Sequence, residues 1–163
     1  MGVGRDIGHA SRRGAALLLA SALAVVLAGA PPALARSQSL DYVDFLGDRG
    51  TDAPGAYVAR TAEQWLDLWA LTAATPPRGL GKGEIAVGIF AGTRPTGGYS
   101  LTTRKVIADG DTVTVEIEER RPWPGAVVTQ ALTAPYVIVV FDSEAEEVTV
   151  YSRTVPVPPP ERP

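Results

Sequence analysis

The chain has 163 residues, 15 of them basic and 18 acidic, with no cysteine and a single histidine, His9. That inventory excludes disulfide bracing, thiolate metal sites and cysteine nucleophiles, and it leaves at most one imidazole for catalysis. A net charge of −3 offers no basic surface for a phosphate backbone, so nucleic acid is not an expected partner.

Residues 1–35 read as an export signal. Arg5, Arg12 and Arg13 give a positive start, Ala15 to Ala28 an apolar stretch short for a bilayer, and Ala33-Leu34-Ala35 the small-x-small cleavage pattern. Gly29, Pro31 and Pro32 break a helix where a signal peptidase needs extended chain, which favours cleavage over a retained anchor. Ser11-Arg12-Arg13 leaves a twin-arginine route open beside the general one. Cleavage after Ala35 removes His9 and leaves 12 basic and 17 acidic residues, a net charge of −5. The expected location is therefore periplasmic or extracellular, with no membrane span after cleavage. Residues 36–155 are expected to fold as one domain held by core packing, and residues 156–163 to form a disordered proline-rich tail.

In chain order, Ser39 to Gly50 carries a short edge strand with incomplete alternation, and Ala56 to Arg60 a second extended piece. Thr61 then caps a predicted helix, its hydroxyl accepting from the Gln64 N–H while Gln64 reaches back. Trp65, Leu68, Trp69 and Thr72 recur at helical spacing and put both indoles on one face, where they either line a groove or pin the helix to a sheet. Pro76 and Pro77 are expected to end this helix. Glu84 to Ala91 reads as a strand buried on both faces, with Gly88 marking close approach by a neighbour.

Gly92-Thr93-Arg94-Pro95-Thr96-Gly97-Gly98-Tyr99 interrupts the strands with three glycines and a proline, the composition of a shaped loop. It lacks the glycine spacing and the following helix of a phosphate cradle. From Tyr99 the chain alternates to Ala108, turns at Asp109-Gly110-Asp111 and alternates again from Val113 to Glu118, the pattern of an antiparallel hairpin with one wet face. Glu118 to Arg121 reads as a solvated strand end. Trp123, between Pro122 and Pro124, is either an exposed contact residue or a lid over the core edge. Val127 to Thr133 reads as another extended run, and Tyr136 to Phe141 is the most strand-like stretch in the chain. Asp142 to Glu146 reads as a turn from which Glu147 to Ser152 pairs back as a last strand. The acidic residues Asp142, Glu144, Glu146 and Glu147 lack the spacing and central glycine of a calcium loop, so neither metal nor cofactor is expected.

Ile85 to Phe90 followed by Gly92, the loop Arg94-Pro95-Thr96-Gly97-Gly98-Tyr99, and Val128 to Thr133 followed by Pro135-Tyr136-Val137-Ile138 together resemble the C-terminal domain of the PrcB family. The resemblance covers about Thr61 to Val140. It implies a small extracytoplasmic domain that associates with or regulates a protease, the family being named for a component of a surface protease complex, and it does not imply catalysis. Pro95 to Tyr99 is also similar to the N-P-T-T-G-Y loop with which chagasin-type inhibitors enter cysteine protease clefts.

The expected fold is α+β, a mainly antiparallel sheet of about six strands, curved or partly closed, with one packed helix. The expected function is a non-catalytic protein-interaction module whose partner is a protein, an extracytoplasmic protease on the family resemblance. The alternative is a secreted protease inhibitor. The candidate binding residues are Arg94, Pro95, Thr96, Gly97, Gly98 and Tyr99, with Trp123, Thr129 and Gln130. An enzyme is not expected, because no motif sets a nucleophile beside a base.

Overall fold

Ile85 through Phe90 and Tyr136 through Phe141 are buried without interruption, because the strands that carry them are covered on both faces. The computed structural model describes residues 37–158. The proposed export signal and the end of the tail lie outside the described residues.

The elements are β1 (Gln38–Ser39), β2 (Tyr42–Gly47), β3 (Gly55–Ala59), α1 (Ala62–Ala70), β4 (Glu84–Phe90), β5 (Ser100–Asp109), β6 (Thr112–Arg121), β7 (Tyr136–Asp142) and β8 (Glu147–Pro156). They form an α+β fold of two open four-stranded sheets, ordered β1-β5-β6-β8 and β2-β7-β4-β3. The single curved sheet of about six strands is thus replaced by eight strands in two sheets. Their inner faces share one core, in which Ile85, Val87, Val137 and Val139 pack with Val106, Val113, Val115 and Ile117. On the far side of β4 and β7, α1 closes a second core through Trp65, Leu68 and Trp69. This three-layer arrangement explains two different sequence patterns. The two central strands of the middle sheet, β4 and β7, are apolar on both faces, whereas β5 and β6 face solvent on one side and alternate.

The helix forms as its cap predicts, with Thr61 Oγ1 accepting from Gln64 N–H at 3.2 Å. Gln64 Oε1 reaches one residue beyond the usual box and accepts from Arg60 N–H at 2.8 Å. The helix ends at Ala70, before Pro76, because Thr72 closes the last turn: its N–H and hydroxyl both donate to Trp69 O, at 2.9 Å each. Both indoles are buried, so they anchor the helix and line no groove. Leu68 occupies the space that a side chain at Gly88 would need, which accounts for the glycine within β4.

Asp109 and Thr112 pair across a turn with Gly110 at φ 60°, as the Asp-Gly signal predicts. Three other readings need correction. Glu147 to Pro156 does not pair back on β7 but crosses to the other sheet and runs parallel to β6 in unbroken register. Val127 to Thr133 forms no strand. Glu118 and Glu119 are buried, at 5% and 8% exposure, where a solvated strand end was expected. Arginines explain this burial: Arg153, Arg120 and Arg104 approach Glu118 to 2.9, 3.2 and 3.8 Å, and Arg94 approaches Glu119 to 2.7 Å.

Candidate functional site

β4 delivers the chain to the 92–99 loop through Gly92, whose φ of 75° only glycine adopts without strain. A Cβ there would stand 2.8 Å from Pro54 N and 2.9 Å from Asp52 O, so the loop begins against the 52–54 backbone. Asp52 fastens it further, since Thr93 N–H donates to Asp52 O at 2.9 Å and the Thr93 hydroxyl to the Asp52 carboxylate at 3.0 Å.

The segment 126–135 supplies the next set of partners. Arg94 and Thr133 exchange backbone hydrogen bonds of 2.7 and 3.1 Å, Gly97 N–H donates to Thr129 O at 2.8 Å, and the Thr133 hydroxyl donates to Thr96 O at 3.0 Å. The apolar run 127–133 fails to become a strand for this reason. Several of its backbone groups are used by a loop, and Ala134 and Pro135 are bonded in turn to Asp48, Gly50 and Ala91.

Arg94 joins the loop to the buried end of β6. Its Nε donates to Glu119 Oε1 at 2.8 Å, while its guanidinium carbon stands 5.9 Å from the centre of the Tyr99 ring, within range of a cation–π contact. The Glu119 carboxylate also accepts from the Thr154 hydroxyl at 3.3 Å and lies 3.9 Å from Arg121. Next to it along β6, Glu118 is held below the usual carboxylate range, first by the hydrogen bond from Arg153 and then by those from Arg120 and the charge of Arg104, against the opposing effect of burial.

The structure brings most of the sequence-predicted residues to one place. Arg94, Thr96, Gly97 and Tyr99 are half-buried, whereas Pro95, Gly98, Thr129 and Gln130 are exposed. Gly98 has φ 84° and lies against Val128 and Pro122, which brings the loop beside the turn containing Trp123. Trp123 is half-buried and folds over Gly125, where a Cβ would stand 3.0 Å from its ring; Ala126 N–H closes the turn on Trp123 O at 3.0 Å. The Gln130 side chain turns back to donate to Val128 O at 3.2 Å.

Sequence reasoning missed Glu119, Thr133 and Asp52, the residues that set the loop's shape. It also missed Val127 and Leu132, which are 103% and 75% exposed on the bracing segment. The absence of a clean alternation in 127–133 was the available signal for them. Two shallow grooves flank the loop, one of about 290 Å³ bordered by Leu46, Tyr99, Leu101 and Tyr136, the other of about 220 Å³ bordered by Asp52, Thr93 and Leu132.

The span from β4 to the end of β7 contains this loop and every element that follows it up to its bracing segment. Residues 85–142 match the PrcB C-terminal family. The PrcB-type segment therefore comprises β4, the loop, the β5–β6 hairpin, the bracing segment and β7, and it leaves out α1, β1 to β3 and β8. No curated protein and no solved structure matches the chain significantly. Among the described residues, no helix is long and apolar enough to cross a membrane.

Proposed function

We propose that the protein is an exported, non-catalytic interaction module that presents the 94–99 loop to a protein partner, an extracytoplasmic protease or a subunit bound to one. The observation that carries this reading is a loop tied down at Thr93, Arg94, Thr96 and Gly97 while Pro95 and Gly98 stay exposed. A surface fixed before contact loses little conformational entropy on binding. Exposed Leu132 and Val127 on the adjoining segment add apolar area of the kind found at contact surfaces. The PrcB likeness supports a protease-linked partner and an extracytoplasmic location, as does the signal-like start of the sequence.

The non-catalytic part of the reading rests on how the carboxylates are used. General acid work near neutrality needs a carboxyl raised above its ordinary range, whereas the arginines around Glu118 lower it. Glu119 is occupied by Arg94 and Thr154.

Crosslinking followed by mass spectrometry in the native cell envelope tests the module. A protease or its subunit is expected to crosslink to residues of 93–99 or 127–133, and Pro95→Asp is expected to abolish that product while leaving the melting temperature unchanged. Crosslinks confined to the opposite end of the sheets, or an unchanged product with Pro95→Asp, would reject it. The chagasin-like reading is favoured by the exposure of Pro95 in the Pro-Thr-Gly-Gly-Tyr sequence, and stoichiometric inhibition of a purified cysteine protease would select it.

A further inference from the structure

β8 is a long strand at the end of its sheet. Among the described residues its sole sheet neighbour is β6, to which it is bound in parallel from Glu147 to Pro156. Glu147 N–H donates to Asp111 O at 3.1 Å, and Val157 N–H donates to Arg121 O at 2.7 Å. Backbone groups alternate in direction along a strand, so the odd-numbered residues of β8 face β6. Val148, Val150, Ser152 and Thr154 then turn their backbone groups to the open edge.

Natural edges of this length are usually blunted by a bulge, a proline or charged side chains, lysine above all. β8 has no bulge, no lysine and no proline before its last residue, and its two charges, Glu147 and Arg153, are of opposite sign. We propose that this edge pairs antiparallel with β8 of a second copy of the chain, joining two four-stranded sheets into one.

Charge selects both the occupant and the register. Glu147, Thr149, Tyr151 and Arg153 are exposed on the outer face, whereas Val148 and Val150 lean onto the core. With Val150 opposite Val150 of the second copy, Glu147 stands opposite Arg153 at both ends, and Thr149 stands opposite Tyr151. The centre is a hydrogen-bonded pair, as the direction of the Val150 backbone groups requires, and the two charge pairs fall at the closer, non-hydrogen-bonded positions. Centring the strands on Tyr151 would set Arg153 against Thr149, and centring them on Ser152 would set it against Tyr151; both lose the charge pairing. Arg153 already reaches Glu118 at 2.9 Å, so its guanidinium would lie between two carboxylates. Tyr151, 60% exposed in the single chain, gains a cross-strand neighbour. A contact limited to one strand edge is small, which makes the association concentration-dependent.

Sedimentation equilibrium of the protein, isolated as its cells accumulate it, tests this pairing. The expected result is a monomer–dimer equilibrium that Ser152→Pro abolishes, since the N–H it removes is turned away from β6, with the melting temperature of the monomer unchanged. Glu147→Lys, which reverses one partner of each charge pair, is expected to weaken the dimer by about tenfold. A monomer at every concentration overturns the proposal, as does a dimer indifferent to either variant. A monomer whose β8 edge instead takes up a strand of another protein also overturns the assignment to a second copy.

Discussion

Arg94 and Glu119 meet where the 92–99 loop joins the sheet: the guanidinium approaches within 2.7 Å of Glu119 Oε1, and Nε donates to the same oxygen at 2.8 Å. Neither side chain is fully exposed, at 23% and 10%, so solvent screens the pair only partly. Removing the cation leaves a shielded carboxylate with Thr154 and the more distant Arg121. Arg94→Ala is expected to lower the unfolding free energy by about 1–3 kcal/mol, and Arg94→Lys to restore only part of it, since an ammonium cannot reproduce the guanidinium geometry. Urea denaturation of these two variants, of Glu119→Gln and of Arg94→Ala/Glu119→Gln checks this, the double variant being expected to lose less than the sum of Arg94→Ala and Glu119→Gln.

The loop glycines are not equivalent. Gly92→Ala forces a side chain into φ 75° against the backbone of Asp52 and Pro54, which cannot yield, and is expected to cost about 2–3 kcal/mol or more. Gly98→Ala meets Val128 Cγ1 at 2.9 Å, an atom of a side chain that can shift, so it is expected to cost about 1–2 kcal/mol from the backbone conformation. Gly97 has ordinary φ, and a Cβ there would make van der Waals contact with Thr129 at 3.4 Å. Gly97→Ala should therefore fall within about 0.5 kcal/mol of wild type, making it the substitution of choice for separating binding from stability. Melting curves of the three variants rank them.

Trp65 and Trp69 are both buried on α1, yet only one indole N–H is used. Trp65 Nε1 donates to Arg78 O at 2.8 Å, whereas Trp69 Nε1 has no partner among the described residues. Trp65→Phe is accordingly expected to be the more damaging by about 1 kcal/mol, because it loses a hydrogen bond as well as volume, whereas Trp69→Phe removes a buried N–H that makes none among the described residues. Either residue changed to Ala is expected to cost about 3–5 kcal/mol. Equilibrium unfolding in urea distinguishes the four variants.

Two carboxylates make stability fall in acid. Hydrogen bonds from Arg78 hold Glu84 below its ordinary range, as those from Arg153 and Arg120 do Glu118. A depressed native pKa stabilises the fold fully above the unfolded value, about 4.3 for glutamate, and the contribution disappears as pH drops through the lower native value. The melting temperature is expected to fall steadily as the pH is taken below about 4.3. Glu84→Gln should lower the plateau near neutrality and flatten this acid limb, which a series of melts against pH would show.

Much of the fold was legible because its signals are local. Thr61 with Gln64 marked the start of α1, the unbroken apolar runs marked β4 and β7, and Asp109-Gly110 marked the hairpin. The loop at 92–99 was equally visible, since its glycines and proline constrain the backbone wherever it sits. What braces it was not visible, because Asp52, Glu119 and Thr133 act on it from distant points in the chain and each has an ordinary local reading. Trp65 and Trp69 show the same limit from the other side: their spacing placed them on one face but left open whether that face met a ligand or a sheet.

The sequence alone determined which stretches extend, where the helix begins and which faces are apolar, since these depend on neighbours within a few residues. Tertiary structure decided that β8 joins β6 and not β7, that 127–133 serves as a brace, and that Glu118 and Glu119 are enclosed by arginines. Alternation tells a strand which face to bury but not which backbone will accept its hydrogen bonds. That choice, like the pairing of a buried charge, is made only when distant segments meet.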